Sequence, residues 1–402
     1  MRRARPGATR HTPARSGDSE AAPTMLDESL LDTPDALAGA DRFGLLRGVA
    51  ESGARVRTAA RSAAESGIPE LTPDGRPRAV LVAGPGPAAA GVADLLRALG
   101  GGNCPVTLIQ PTGVAPLPGA LRWALPGWAG PLDLLLLPGP DAADPGLAEL
   151  VEQASRRGCA VVAVTPAGGP LADAVTQARG LAIPLATTPY DAEFDVEGAP
   201  PAAPGTLWSV LIPLLSLADR IGLLSAPPEA LGKLADRLDQ LAERCGPAIP
   251  TYTNPGKTLA ADLADALPLI WTEGTIAGAV GRHFATELAG LAGRPALAAE
   301  LPEALATHRT LLAGALAAGA DPDDFFRDRV EQPAAMHARV VLLREGEPGA
   351  LSATRAAQAL AEERDTAVSE LEADTGSDLE KAAELLAIVD FAAVYLALAG
   401  TE

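Results

Sequence analysis

The chain has 402 residues, more than the roughly 250–300 residues that one hydrophobic core usually supports, so its length predicts two domains. Hydrophobic residues make up 48% of it, which is enough to bury two cores. The formal net charge of −19 would repel phosphate backbones and anionic lipid surfaces, which argues against nucleic-acid and membrane partners.

The cysteines indicate neither disulfides nor zinc. Cys104, Cys159 and Cys245 are isolated, without CxxC spacing, and are expected to be small core residues in a reducing cytoplasm. The longest apolar runs, such as 207–218 and 391–400, are shorter than the ~20 residues of a membrane helix. We therefore expect a cytoplasmic protein without a membrane span.

The N-terminal residues 1–24 carry five arginines but lack the apolar core of a secretory signal. They are interpreted as a disordered tail, or as the product of a start codon placed upstream of a true start at Met25. Two short helices are expected between Met25 and the turn-rich linker at 69–77.

The chain is organised around residues 79–99. Ala79 to Ala83 reads as a buried parallel strand, Gly84-Pro85-Gly86 as a tight turn, and the residues up to Leu99 as a helix. Further strands are predicted at 106–109, 134–137, 160–164 and 182–185, with a helix at 145–157. Pro184 implies an edge position for the last strand. Strands and helices that alternate in this way predict a doubly wound parallel sheet.

Two helices are predicted between the halves of the chain. One covers 207–224 and is expected to be interrupted near Pro213; the other covers 231–245 and is amphipathic.

The second half repeats the first in outline, which indicates an α/β duplication. A strand at 267–271, a turn at 273–275 and a helix at 276–291 echo residues 79–99. Strands at 339–343 and 367–371 and an apolar helix at 379–399 complete it.

Several motifs resemble one known family. They are Asn254-Pro255-Gly256-Lys257-Thr258-Leu259-Ala260, Leu267-Pro268-Leu269-Ile270, Glu300-Leu301-Pro302-Glu303 followed by His308, and Val389-Asp390-Phe391. In order and spacing the chain resembles the sugar isomerase (SIS) fold, specifically the bifunctional glucose-6-phosphate/mannose-6-phosphate isomerase family.

That resemblance implies an α/β fold of two tandem SIS domains, each a parallel sheet flanked by helices. The implied division is 25–205 for the N-terminal helices and first SIS domain, 206–246 for bridging helices and 247–402 for the second SIS domain. It further implies a phosphosugar ligand, a homodimer whose site is completed across the subunit interface, and proton-transfer chemistry without a metal or organic cofactor.

The phosphate-binding motifs of the family are altered here. Its first turn usually reads Gly-Met-Gly-Gly-Ser-Gly; this chain keeps Gly84 and Gly86, but Pro87 lacks an amide hydrogen and Ala88 replaces the serine. Its second phosphate loop is rich in hydroxyls, whereas the loop here, which begins at Gly139, has none. Asp141 and Asp144 in that loop would repel a phosphate. Gly84, Gly86 and Gly139 remain the candidate ligand contacts.

The catalytic residues are also changed. The glutamate that acts as the catalytic base in the family aligns with Gly290 of this chain. Glu287, one helical turn earlier, is the candidate substitute for it. His308 is the candidate ring-opening group, although an isolated histidine is more often a surface or capping residue. Glu300 is a candidate binding residue that, with Glu303, could instead cap the next helix.

The other histidines and the 254–257 motif are not assigned a catalytic role. His283 and His337 lack an evident partner in the sequence and are expected to be solvated. The motif 254–257 starts a helix and serves either packing or ligand contact.

Two other functions are conceivable for this sequence. A dinucleotide enzyme would use Gly84-Pro85-Gly86, but the third glycine is missing and the second strand ends in Gln110 instead of an acid. A non-catalytic phosphosugar-binding or regulatory protein on the same fold is favoured by the altered motifs. We therefore keep isomerase and non-catalytic binding protein as the two alternatives.

Overall fold

The computed structural model describes residues 28–73, 75–113, 119–140, 145–188, 191, 203–313 and 337–400. The predicted N-terminal extension 1–24 and the loop residues Asp141 and Asp144 lie outside these ranges. Within them the chain forms two parallel β-sheets flanked by helices, which confirms the predicted fold class.

Within the described ranges, four helices precede the first sheet, whereas the sequence predicted two. The extra boundary after residue 40 has a local cause, because the Asp41 carboxylate accepts hydrogen bonds from the amides of Leu45 (2.6 Å) and Leu46 (2.9 Å) and so starts a new helix. The helices are α1 (Glu28–Leu31), α2 (Pro34–Ala40), α3 (Leu45–Ala50) and α4 (Ser52–Glu65).

The first sheet has the order β2-β1-β3-β4-β5, with every strand pair parallel. Strand β5 is an edge strand, as Pro184 predicted. The elements are β1 (Ala79–Val82), α5 (Gly86–Leu99), β2 (Val106–Leu108), β3 (Asp133–Pro138), α6 (Pro145–Arg156), β4 (Ala160–Thr165), α7 (Pro170–Gln177) and β5 (Leu181–Pro184).

Two helices connect the halves: α8 (Thr206–Arg220) and α9 (Pro228–Arg244). The predicted interruption of the first one was wrong, because α8 runs through Pro213 without a break. A proline inside a helix costs roughly 3 kcal/mol. Leu207 to Leu215 are all buried, so the packing of this helix offsets that cost.

The second sheet has the order β7-β6-β8-β9 and is also parallel. Counted within its own half, this is the order of the first four strands of the first sheet, as a duplication requires. Strand β7 was not predicted from the sequence, because it is short and its side chains are partly exposed. The elements are α10 (Pro255–Asp262), β6 (Ala266–Glu273), α11 (Thr275–Ala292), β7 (Leu297–Glu300), α12 (Glu303–Thr307), β8 (His337–Arg344), α13 (Thr354–Glu363), β9 (Val368–Glu372) and α14 (Asp378–Ala399).

One apolar core extends across both halves, between the two sheets and the helices that face each other. Helix α14 lies in it. It is the one helix in the described ranges that is long and apolar enough to cross a membrane, yet 83% of its most apolar window is buried inside the protein. It is therefore a core helix. Because the core is continuous, the boundaries 25–205, 206–246 and 247–402 stay a prediction.

Candidate functional site

The cleft of interest lies where the two halves meet. Helix α5 packs against α11, and α11 packs against α14. Between them is an open cleft whose empty space, counted together with the adjoining open solvent, is about 420 Å³. Its lining consists of Pro87, Ala88, Ala203, Pro204, Gly205, Thr206, Leu207, His283, Glu287 and Asp390.

The first side of the cleft is the turn from β1 into α5. Strand β1 lies between β2 and β3, so this turn is at the point where the strand order reverses, and parallel α/β sheets bind ligands there. A side chain at Gly84 would come within 2.6 Å of the Pro138 carbonyl oxygen, and Gly86 has a φ of +70°. Both positions thus need glycine to form the turn.

The start of α5 is free of side-chain caps from the described ranges. Pro87 has no amide hydrogen and Ala88 has no hydroxyl, so only backbone amides and the helix dipole are available to an anion. Gly139 lies at the end of β3, where a Cβ would stand 3.0 Å from Leu171 Cδ2, which is a packing constraint. Ligand contact by Gly84, Gly86 and Gly139 stays a prediction.

The second side of the cleft is the start of α8. Gly205 has a φ of +81°, and a Cβ there would lie 2.7 Å from the Gly48 carbonyl oxygen, so no larger residue fits. Among the described residues that line the cleft, Thr206 is the one with a hydroxyl, and it was not predicted from the sequence. Residues 203–207 carried no readable motif.

The third side carries the charged groups. His283 Nε2 on α11 lies 2.7 Å from Asp390 Oδ1 on α14. Burial lowers the pKa of His283, but the charge and hydrogen bond of Asp390 outweigh it and raise the pKa to about 9. The expectation that His283 is solvated and without a partner was therefore wrong, because its partner is 107 residues away in sequence.

Glu287 lies one helical turn after His283 on the same face of α11 and lines the cleft, as its candidate role requires. It has no hydrogen-bond or ion-pair partner within the described part of the chain. Burial raises its pKa, the His283 charge partly opposes this, and the Asp390 charge adds to it, giving a pKa of about 6. That value is in the range expected of a general base.

His308 is not in the cleft. It packs in the core on the other face of the second sheet, with Trp271. The Trp271 Nε1–H group donates a hydrogen bond to His308 Nδ1 over 2.9 Å, and burial lowers the pKa of His308. Within one chain the structure therefore does not bring Glu287 and His308 together.

Glu300 also lies outside the cleft. Its Oε1 atom is 2.7 Å from Arg282 Nη1, and Arg282 Nε is 2.7 Å from Asp94 Oδ2 on α5. The side chain of Glu300 is 57% exposed. These contacts connect β7 to α11 and α11 to the first half of the chain. Glu303, by contrast, is in the first turn of α12, where an acidic residue is favourable.

The Asn254 to Lys257 motif has a packing role. The Asn254 side chain accepts a hydrogen bond from the Lys257 amide at the start of α10. Lys257 is fully buried, and its Nζ donates to the carbonyls of Pro247 (2.7 Å) and Ile249 (2.8 Å). Of the two readings left open by the sequence, the contacts therefore favour packing.

The corresponding turn in the second half is filled by the protein itself. The Glu345 carboxylate accepts hydrogen bonds from the amides of Ile276 and Ala277 at the start of α11. A Cβ at Gly274, where φ is +107°, would come within 2.2 Å of Glu345 Oε1. An anion from solution is thus excluded from this helix start.

Two signals in the sequence could have indicated the charged cluster. His283 and Glu287 are four residues apart, which places them on one helix face. Asp390 is a charged residue inside an apolar helix, and buried charges are usually paired. In the described ranges, no group of three or more His, Cys, Asp and Glu side chains is arranged to hold a metal ion.

Comparison with known proteins finds a family match for the C-terminal part of the chain. Residues 252–400 match the family model of the bacterial phospho-glucose isomerase C-terminal SIS domain. This match confirms the resemblance over those residues. No curated protein matches the chain.

Solved structures extend the likeness to most of the chain. A candidate phosphosugar isomerase from Silicibacter pomeroyi DSS-3 is 18% identical, with a TM-score of 0.55 over 88% of this chain and 97% of that chain. A candidate phosphosugar isomerase from Clostridium difficile 630 is 9% identical, with a TM-score of 0.58 over 88% of this chain and 92% of that chain. A candidate sugar-binding protein from Salmonella typhimurium LT2 is 11% identical, with a TM-score of 0.52 over 87% of this chain and 98% of that chain. At these identities the likeness establishes the fold.

Proposed function

We propose that this chain, which carries a phosphoglucose-isomerase-type SIS domain over residues 252–400, binds a phosphosugar in the cleft between α5 and α11 and isomerises it. The reaction is the interconversion of an aldose phosphate and a ketose phosphate, of the glucose-6-phosphate/mannose-6-phosphate type. The observation that carries the proposal is Glu287, a carboxylate without a partner in the described ranges, placed in a cleft at the ligand-binding edge of the first sheet.

The chemistry assigned to Glu287 is proton transfer between neighbouring carbons. As a carboxylate it removes the proton from C2 of the open-chain aldose. The C–H electron pair becomes the C1=C2 bond of an enediol as the carbonyl oxygen gains a proton. The carboxylic acid then returns its proton to C1, and the O2 hydroxyl loses a proton to become the ketone. With a pKa of about 6, Glu287 is mostly ionised at neutral pH, as the first step requires.

The phosphate is assigned to the starts of α5 and α8, which face the same cleft. Both helix starts bring the positive end of a helix dipole to the cleft, and α5 adds first-turn amides. At the start of α8 the Thr206 amide already donates to the Ala203 carbonyl oxygen (3.2 Å). The Thr206 hydroxyl adds a side-chain donor. These groups supply the contacts for which the family's usual turn uses a serine hydroxyl.

A non-catalytic phosphosugar-binding or regulatory role is the second candidate. Pro87 and Ala88 favour it, because they remove an amide hydrogen and a hydroxyl from the turn where the family holds phosphate. In that case the cleft binds a carbohydrate derivative without converting it, and the fold transmits binding to a partner.

Three further properties belong to the same proposal. The protein is a homodimer, in line with the family it resembles, and it works without a metal or organic cofactor because the reaction is a proton transfer. It is cytoplasmic, which is supported by its cysteines: Cys104, Cys159 and Cys245 are all free thiols.

The test is a coupled assay of fructose-6-phosphate formation from glucose-6-phosphate and from mannose-6-phosphate. Glu287→Gln should lower the rate by roughly 10²–10⁴-fold, as expected for loss of a general base. The matched control is Glu362→Gln, which changes an exposed acid on α13 that does not line the cleft. This variant should retain full activity.

Calorimetry with the same sugar phosphates separates the two candidates. Binding without turnover in the wild-type protein favours the non-catalytic role. Absence of both binding and turnover contradicts the phosphosugar assignment altogether.

A further inference from the structure

The feature that carries a further inference is the pair His283 and Asp390. Asp390 is 8% exposed and lies in a helix that is otherwise almost entirely apolar where it faces the core. A buried carboxylate is costly unless it is paired and hydrogen-bonded. His283 Nε2, at 2.7 Å, provides that pairing. The contact fixes the orientation of the imidazole ring relative to the cleft.

This arrangement leaves the other ring nitrogen for a ligand. Nε2 is held by Asp390, so Nδ1 is the atom of His283 without a partner in the described ranges. His283, Asp390 and Glu287 all line one cleft. The side chain of His283 is 12% exposed, so it is reached from the cleft and little from bulk solvent.

The two groups on α11 differ in protonation at neutral pH. His283, with a pKa of about 9, is protonated, and Glu287, with a pKa of about 6, is ionised. Neighbouring groups whose environments separate their pKa values in this way are suited to act as an acid and a base. Isomerisation of a cyclic sugar needs both: an acid that opens the ring and a base that moves the carbon-bound proton.

We propose that His283, oriented by Asp390, opens the sugar ring, so that acid and base lie on one helix of one chain. This inference rests on the isomerase function proposed above. His283 is then a catalytic residue and Asp390 a positioning residue. It replaces the prediction that His308 performs this step.

The ring-opening step balances as follows. The imidazolium gives its Nδ1 proton to the ring oxygen O5, and the C1–O5 bond breaks with its electron pair going to O5. The O1–H electron pair becomes the carbonyl bond at C1, and the O1 proton is released to water. His283 regains a proton from solvent. No oxidant or other co-reactant is consumed.

The first experiment compares a cyclic with an open-chain substrate. Glucose-6-phosphate must be opened, whereas erythrose-4-phosphate cannot close a five- or six-membered ring because its O4 atom is esterified. His283→Gln should lower kcat/KM for glucose-6-phosphate by roughly 10²–10⁴-fold and change that for erythrose-4-phosphate only a few-fold. Glu287→Gln should lower both. His337→Gln, at an exposed histidine on β8, is the matched control and should change neither.

The second experiment measures the pH profile. Among the described residues, the charged groups around His283 are Asp390 on α14 and Glu287 on its own helix, while α5 and residues 203–207 present uncharged side chains to the cleft. For glucose-6-phosphate, kcat/KM of the wild-type protein should fall above pH about 9. Asp390→Asn should move that alkaline limb down toward the ordinary histidine value of about 6.5. A purely structural role of Asp390 would leave the limb in place.

Each outcome decides one question. Three results would overturn the ring-opening role of His283 and leave the isomerase function intact. They are an equal loss of kcat/KM on both substrates in His283→Gln, an unmoved alkaline limb of the pH profile in Asp390→Asn, and a loss of kcat/KM on glucose-6-phosphate alone in His308→Ala. A wild-type protein that turns over neither substrate overturns the isomerase function and this role with it. Circular dichroism of the nearly isosteric variants shows that a loss is not one of folding.

Discussion

Glu345 Oε1 lies 3.1 Å from the backbone nitrogen of Ala277, where it accepts a hydrogen bond at the first turn of α11. A carboxylate of the protein thereby occupies the position that an anionic ligand would take at this helix start. The equivalent start of α5 has no side-chain cap from the described ranges. The two halves share a topology but differ here, and this difference explains why the start of α5, and not that of α11, is the candidate anion site.

The first prediction concerns this internal cap. Glu345→Ala should lower the free energy of unfolding by about 1–2 kcal/mol, the usual cost of losing a side-chain cap at a helix start. Urea denaturation measures the change, and Glu347→Ala, at an exposed position two residues later, is the control. Equal stability of both variants would show that the amides of α11 are satisfied equally well by water.

The second prediction concerns stability against pH. The pKa of His283 is raised to about 9 in the folded protein, from about 6.5 when unfolded, so the folded state binds the proton more tightly. The resulting stabilisation, up to about 3 kcal/mol, is complete below pH ~6.5 and is lost as the pH rises toward 9. Asp390→Asn should remove this slope between pH 6.5 and 9.

Unfolding by urea at several pH values measures that slope. His337→Gln should retain it, because His337 is exposed. The raised pKa of Glu287 acts in a separate window: the stability it gives is complete below pH ~4.5 and is lost as the pH rises through about 6. An unchanged slope above pH 6.5 in Asp390→Asn would contradict the assigned ion pair.

The third prediction separates a structural from a catalytic role of His308. His308→Ala leaves the buried indole N–H of Trp271 without an acceptor, which should cost about 1–3 kcal/mol of stability. His308→Gln, which retains an acceptor oxygen, should recover part of that loss. Thermal unfolding of both variants, recorded beside their isomerase activity, provides the measurement. A fall in activity with unchanged stability would restore His308 to the active site.

The fourth prediction concerns Arg282, which contacts both Asp94 and Glu300 at 2.7 Å. Asp94 is 17% exposed and Glu300 57%, so the pair with Asp94 should be the stronger one. Double-mutant cycles in urea should give roughly 0.2–1 kcal/mol for Arg282 with Asp94 and a value near zero with Glu300. A larger coupling with Glu300 would contradict this ranking.

The order of elements could be predicted from the sequence, because it depends on local patterns. The apolar run from Ala79 and the glycines at 84 and 86 predict a strand, a turn and a helix, and the same pattern recurs from Leu267. Glu287 was found by alignment with a motif. The path of α8 through Pro213 was not predictable, since the burial of that helix outweighs the local preference of proline.

The sequence by itself determined the fold class and the duplication, and it indicated the resemblance that the family model matches over residues 252–400, since hydrophobic periodicity and short motifs are local properties of the chain. Only the tertiary structure decided which charged groups meet. His283 and Asp390 are 107 residues apart and His308 and Trp271 are 37 apart, and no local pattern encodes either contact. Packing of α11 against α14 placed one histidine beside a carboxylate in a cleft, and the core of the second sheet buried the other. That packing, through burial and neighbouring charge, set the protonation of each.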